Sequence, residues 1–200
     1  MCFSTRQSKT APELEKRFRA RFPAGQQYQP AQYNGFEHPR TPVITNAEPE
    51  HIQLLSWGLI PRWATDESIR TATLNARVET FQHKPAFRDS SANRCMILAD
   101  GFYEWQWLDP RGRSKQKYLL QLPDHEAFAF AGLWSDWTDT RTGTVRPTYT
   151  ILTTEANELM STIHNSKKRM PAIIAAGCEQ DWLAGRKIKL MNDLLTAVPV

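Results

Sequence analysis

The stretch RCMILADGFYEWQW, residues 94–107, is a long strand-like run broken once, at Asp100-Gly101. Successive strand side chains point to opposite faces, so Phe102, Glu104 and Gln106 share one face and Tyr103, Trp105 and Trp107 the other. The three aromatics are expected to take the core. Glu104 then stands on the second face, where large apolar neighbours strip its solvation and raise its pKa toward values suited to proton transfer. The plainer alternative is an exposed strand glutamate.

Outward from this run the pattern stays mainly strand. Lys117 to Leu122, Ala127 to Trp134 and Thr148 to Thr153 follow at hairpin-like intervals, while Pro42 to Thr45 and the partly alternating His51 to Gly58 precede it. Helices are expected at three places. Thr10 with Glu13 reads as a capping box, and Leu14, Phe18 and Phe22 recur at helical spacing until Pro23 and Gly25 end the run. A second helix is expected over Glu155 to Ile163 with Thr154 as its cap, and a third from Cys178 with Trp182 and Leu183 inward. Residues 26–50, rich in Pro, Asn, Gln and Gly, read as irregular loop up to the strand at Pro42.

The chain of 200 residues, 40% hydrophobic and 23% charged, suits one domain with a sizeable core, and no repeat or linker divides it. Three scattered cysteines, Cys2, Cys95 and Cys178, suggest neither a disulfide framework nor a zinc site, and fit a reducing compartment. The N-terminus lacks an apolar leader and the apolar runs are too short to span a bilayer, so a cytoplasmic protein with no membrane partner is expected. Neither a heptad nor a long apolar face argues for assembly; a monomer without an obligate protein partner is the expectation. The net charge of +4 is concentrated in residues 1–40, with seven Lys/Arg against three Asp/Glu. That asymmetry fits a polyanion-binding face or a solvated helix surface.

Cys2 reads either as an incidental residue at position 2 or as a reactive terminus. Loss of Met1 leaves a 1,2-aminothiol, whose amine forms an imine with an aldehyde and whose thiol closes a five-membered thiazolidine. With an amine pKa near ~8 and a thiol pKa near ~8.5, reactive forms of both exist at neutral pH. His164, at the end of the second expected helix, reads as a helix cap or a site histidine. Asn75 reads as an N-cap or as an amide holding an amine and a carbonyl in register. Trp57 and Trp63 flank a Gly-Leu-Ile-Pro-Arg stretch and read as core or as a ring for a nucleobase.

Together these segments resemble the SOS-response-associated peptidase-like (SRAP) family over nearly the whole chain. They are Met1-Cys2, WGLIPRW (57–63), NARVET (75–80), KPAFR (84–88), RCMILADGFYEW (94–105), FAGLW (130–134), TTEAN (153–157) and IHNSKKRMP (163–171). The resemblance implies a single α+β domain over residues 1–200, antiparallel strands curled into an open barrel-like sheet with flanking helices, and the processed N-terminus in a central cleft. It also implies a DNA-damage function: autocatalytic loss of Met1, then covalent capture of abasic sites in single-stranded DNA through lyase-like imine chemistry.

By that resemblance Cys2 is the nucleophile, Glu104 the general acid/base, His164 the group that favours the open aldehyde, and Asn75 the residue that positions the N-terminus. Arg77, Arg88 and Arg169 would contact phosphates, while Trp63 and Pro39 would support unstacked bases; no metal or organic cofactor is required. Two departures stand out. Phe3-Ser4 follow Cys2 where many members have Gly-Arg, leaving Arg6 to compensate, and Asn165 to Lys168 lengthen the interval between His164 and Arg169. Two other readings remain: an N-terminal-nucleophile cysteine peptidase acting on other proteins, and a non-covalent single-stranded nucleic-acid-binding module.

Overall fold

The computed structural model describes residues 2–191 and 194–200. Among the described residues, twelve strands and four short α-helices follow one another. The first half contains β1 (Ser4–Gln7), α1 (Ala11–Phe18), β2 (Ala31–Asn34), β3 (Arg40–Thr45), β4 (Gln53–Trp57), β5 (Asn75–Arg77), α2 (Pro85–Arg88) and β6 (Arg94–Ala99). The second contains β7 (Gly101–Trp107), β8 (Lys115–Gln121), β9 (Phe128–Thr138), β10 (Val145–Glu155), α3 (Glu158–Ile163), β11 (Arg169–Pro171), α4 (Glu179–Leu183) and β12 (Thr196–Pro199).

The strands form two sheets, and β3, β4, β6, β9 and β10 close a barrel. β10 bonds β4, β4 bonds β3, β3 bonds β6, β6 bonds β9, and β9 returns to β10. Closure leaves β10 with two occupied edges. Because β9 and β4 both pair at Thr148 and Tyr149, they lie on opposite edges. The same argument at Ile151 puts β5 on the β4 edge, and at Thr153 puts β11 on the β9 edge. The barrel-like sheet expected from the resemblance is there, antiparallel except where β4 and β5 run parallel to β10. The second sheet has the order β12-β8-β7-β1-β2.

The expected break at Asp100-Gly101 is the step between the sheets: β6 belongs to the barrel and β7 to the second sheet. Asp100 is buried, and its carboxylate accepts from the Arg6 guanidinium, the Ser8 backbone N–H and the Ser8 hydroxyl. Gly101 has to be glycine for space: a Cβ would fall 2.9 Å from Leu119 Cδ1 and 3.2 Å from the Leu120 carbonyl oxygen. Gly132, opposite Cys95 on β6 and Ile151 on β10, leaves room inside the barrel for Ile97. Around it Trp57, Phe102, Phe128, Phe130 and Tyr149 fill the core, each fully buried aromatic contributing roughly 2–3 kcal/mol of apolar transfer.

Three expectations are corrected. Of the three aromatics Tyr103 is buried, as expected, but Trp105 and Trp107 do not take the core. Phe102 and Glu104 face it, while Lys117 lies 4.0 Å from the Tyr103 ring centroid and Trp105 and Trp107 are half-buried at the rim. An indole covers apolar surface while keeping its polar edge wet, so it suits that rim better than the interior. The second helix starts at Glu158 with Asn157 as its cap, Oδ1 accepting from Met160 N at 2.8 Å, because pairing with β11 draws Thr153 to Glu155 into β10. The first helix has its capping box but stops at Phe18, where Arg19 turns left-handed with φ 52°.

Within residues 26–50 the polar segment AQYN forms β2 and covers β1, which itself carries no apolar alternation to announce it.

Candidate functional site

Cys2 precedes β1, and the β1 register carries it to the middle of β7. Thr5 lies opposite Phe102 and Arg6 opposite Gly101, so the same register continued toward the N-terminus brings Phe3 level with Glu104 and Cys2 level with Trp105. Two hydrogen bonds hold this approach. The Gly35 N–H donates to the Phe3 carbonyl at 2.8 Å, and Asn75 Nδ2 donates to the Cys2 carbonyl at 2.8 Å. Asn75 therefore sits on a strand and caps no helix. Its Oδ1 is buried and has no hydrogen-bond partner among the described residues. Met1 lies outside the described residues.

The electrostatics follow from burial. The Cys2 side chain is inaccessible, and desolvation, reinforced by the Glu104 charge, pushes its thiol pKa far up, so the resting sulfur is protonated. Glu104, 4% exposed, is raised to about 7, first by desolvation. A carboxyl titrating there holds and releases a proton with equal ease at neutral pH.

His164 is both a helix cap and a part of this site. Its backbone N–H donates to the Met160 carbonyl, and its buried ring is pushed below the ordinary histidine pKa, first by desolvation. Nδ1 lies 2.6 Å from the Arg169 carbonyl oxygen and 3.3 Å from the Arg169 nitrogen. A carbonyl can only accept, so the shorter contact sets the tautomer: Nδ1 carries the proton and Nε2 the lone pair.

Glu104 and His164 line one cleft of about 360 Å³ together with Phe3, Trp105, Trp107, Lys115, Ser166 and Lys167. The end of α3 is pinned there by Gln106 Nε2 donating to the Thr162 carbonyl, and the loop after it by Asn165 bonding the Trp107 backbone. Trp105, Trp107, Lys115 and Lys167 were not singled out from the sequence as site residues. The signal available was the alternation that puts both indoles on one face.

The expected phosphate and base contacts separate. Arg77 is exposed and shares a face of β5 with Asn75, two residues away, which sets it beside the Cys2 carbonyl clamp. Arg169 is removed from the phosphate group: its guanidinium is buried, bidentate to Glu79 at 2.8 and 2.9 Å, with a further bond to the Thr153 carbonyl. Arg6 is likewise committed, to Asp100 at 3.0 Å and to Gln121 at 3.0 Å, and cannot stand in for an early phosphate-binding arginine. Trp63 is 53% exposed with its Nε1 donating to the Pro85 carbonyl, Pro39 is half-buried, and Arg88 is exposed beside Asp89. None of these three lines the Glu104 cleft. Trp57 is core, its Nε1 donating to the Leu74 carbonyl.

A barrel with an N-terminal cysteine clamped by an Asn amide, beside a neutral-titrating carboxyl and a neutral imidazole, defines a narrow class. The chain belongs to the SRAP family, SOS response associated peptidase, whose model matches residues 1–199. It is 42% identical over 163 residues to the abasic site processing protein YoaM of Bacillus subtilis, across 81% of this chain and 69% of that protein. It is 44% identical over 142 residues to the abasic site processing protein YoqW of the same organism, across 70% of this chain and 61% of that one. The chain thus spans 61 to 69% of the length of these relatives. A crystal structure of a protein from Bacteroides thetaiotaomicron has the same α+β fold, with a TM-score of 0.88 at 30% identity over 100% of this chain and 92% of that one.

Proposed function

We propose that this chain captures abasic sites in single-stranded DNA as a covalent adduct of Cys2, after removal of Met1. The observation that carries the reading is the Asn75 amide on the Cys2 carbonyl beside a carboxyl with a pKa of about 7. The names of the Bacillus relatives, abasic site processing proteins, support it.

The freed amine adds to the ring-opened deoxyribose aldehyde, and water leaves as the C=N bond forms. Sulfur then adds to the imine carbon and the nitrogen takes a proton, so the thiazolidine forms with net loss of one water. Because burial keeps the thiol protonated, a base has to take its proton as sulfur attacks. Glu104 fills that role, and in its acid form it protonates the departing hydroxyl. His164, held neutral with Nε2 as acceptor, hydrogen-bonds the sugar hydroxyl released on ring opening. Asn75 holds the Cys2 carbonyl with its N–H, and its Oδ1 is the natural acceptor for the freed amine. Arg77 supplies a phosphate contact next to this clamp, and Trp63, Pro39 and Arg88 support the strand farther out.

Intact mass before and after incubation with an oligonucleotide bearing one abasic site tests the reading. The expected product lacks Met1 and gains the mass of the oligonucleotide minus one water. No gain with any abasic strand overturns covalent capture; turnover of an added peptide in its place identifies a cysteine peptidase.

A further inference from the structure

Asn165 to Lys168 intervene between His164 and Arg169, and they form a clasp on β7. β1 pairs with β7 at Gly101 and Phe102, and its register continued through Cys2 reaches Trp105, so the backbone groups of Trp107 need another partner. Asn165 supplies it. Its Oδ1 accepts from Trp107 N at 3.1 Å and its Nδ2 donates to Trp107 O at 2.9 Å, the paired bonds a neighbouring strand would make. This holds Ser166 and Lys167 over the cleft wall. Lys115, opposite Trp107 on β8, places Nζ 5.5 Å from that ring.

Beyond Trp107 the cleft continues into a second hollow of about 550 Å³, which shares Trp107, Ser166 and Lys167 with the first and ends on Leu108 and Pro110. Asp109, the acid that lines this hollow, spends its carboxylate on the backbone N–H groups of Arg111 and Ser114. The side chains left to face a ligand are exposed lysines, half-buried indole and Leu108, which is 59% exposed. Cationic heads spaced along an apolar floor match a single strand, with its phosphates outward and its bases unstacked.

We propose that this extension is a track for the DNA strand on one side of the abasic nucleotide. Lys115 and Lys167 hold phosphates, and Trp107 and Leu108 receive the neighbouring nucleotide. The assignment of the track to the flank of a lesion rests on the proposed function above; its affinity for a single strand does not.

The test uses the full chain and oligonucleotides carrying a tetrahydrofuran abasic analogue, which has no aldehyde and cannot crosslink. Strands extending both ways, only 5′, or only 3′ of the analogue are titrated by fluorescence anisotropy across a salt series. In the double variant Lys115→Ala, Lys167→Ala, affinity is expected to fall about tenfold and the log–log salt slope by about 1.4, two phosphates at ~0.7 each on a single strand. The loss should fall on strands with one of the two polarities, and Lys115→Arg, Lys167→Arg should restore it. Unchanged affinity and slope, or an equal loss for both polarities, overturns the track. If the wild-type chain forms no adduct yet the double variant shows the one-sided loss, the capture chemistry fails and the track stands. If the adduct forms and the variant binds like wild type, the track fails and the capture stands.

Discussion

Asn75 Nδ2 and the Cys2 carbonyl, 73 positions apart in sequence, meet at 2.8 Å. This contact ties the N-terminus to the barrel, because Asn75 lies on β5 and β5 is bonded to β10. It also orients the peptide group that follows the reactive carbon skeleton, the one joining Cys2 to Phe3.

Asn75→Asp keeps an oxygen and loses the N–H, so it should slow adduct formation as severely as Asn75→Ala, by about tenfold or more, while changing stability by only about 1 kcal/mol. Single-turnover crosslinking read on denaturing gels, with thermal unfolding alongside, checks both numbers. A wild-type rate in Asn75→Asp would remove the carbonyl clamp from the chemistry.

Glu104 gives a pH signature. Its folded pKa of about 7 lies above the ordinary carboxyl value, so the folded state binds the proton more tightly than the unfolded state does. Its stabilising contribution is fully present below the unfolded pKa, near ~4.5, and is lost as pH rises through about 7. Glu104→Gln should therefore be the more stable protein at pH 8, by roughly 3 kcal/mol at most, and equal to wild type near pH 4. Its crosslinking rate should lose the inflection near neutrality. Denaturant unfolding at the two pH values decides; equal stabilities at pH 8 would mean that the carboxyl is not desolvated as described.

Arg169 and Arg77 should separate stability from binding. Arg169→Ala breaks the bidentate Glu79 pair and the Thr153 contact and should cost about 2 kcal/mol, with the salt slope of DNA binding unchanged. Arg77→Ala, at an exposed position, should leave the unfolding midpoint alone and reduce the salt slope by ~0.7. The opposite pattern would reverse the two assignments.

Gly132→Ala probes the barrel itself. A Cβ there would fall 2.3 Å from Ile97 Cδ1 and 2.6 Å from the Thr150 carbonyl oxygen, and the latter belongs to a paired strand that cannot move aside. A loss of about 3 kcal/mol or more is expected in equilibrium unfolding. A variant as stable as wild type would show that the barrel has slack at this level.

Local signals were legible where the physics is local. The Thr10 and Glu13 capping box forms because both partners lie within one helical turn. The Asp100-Gly101 break was visible because a small residue after a turn former interrupts apolar runs on both sides. β1 and β2 were not visible: STRQ and AQYN have no apolar alternation and become strands because β7 offers an edge to β1 and β1 offers its other edge to β2. Likewise Thr154 is a good cap in isolation, yet pairing with Met170 makes it strand.

The sequence by itself determined that the chain belongs with proteins carrying an N-terminal cysteine, an acidic strand and a histidine ahead of an Arg-Met-Pro segment, and that its middle is strand. Motif and alternation are one-dimensional properties, so they survive without coordinates. Only the tertiary structure decided which face of β7 Glu104 occupies, that Arg6 and Arg169 are spent on Asp100 and Glu79, and that Asn165 completes the edge of β7. Each of these depends on a partner tens of residues away in sequence, whose charge or open hydrogen-bonding group is met only after the barrel has closed.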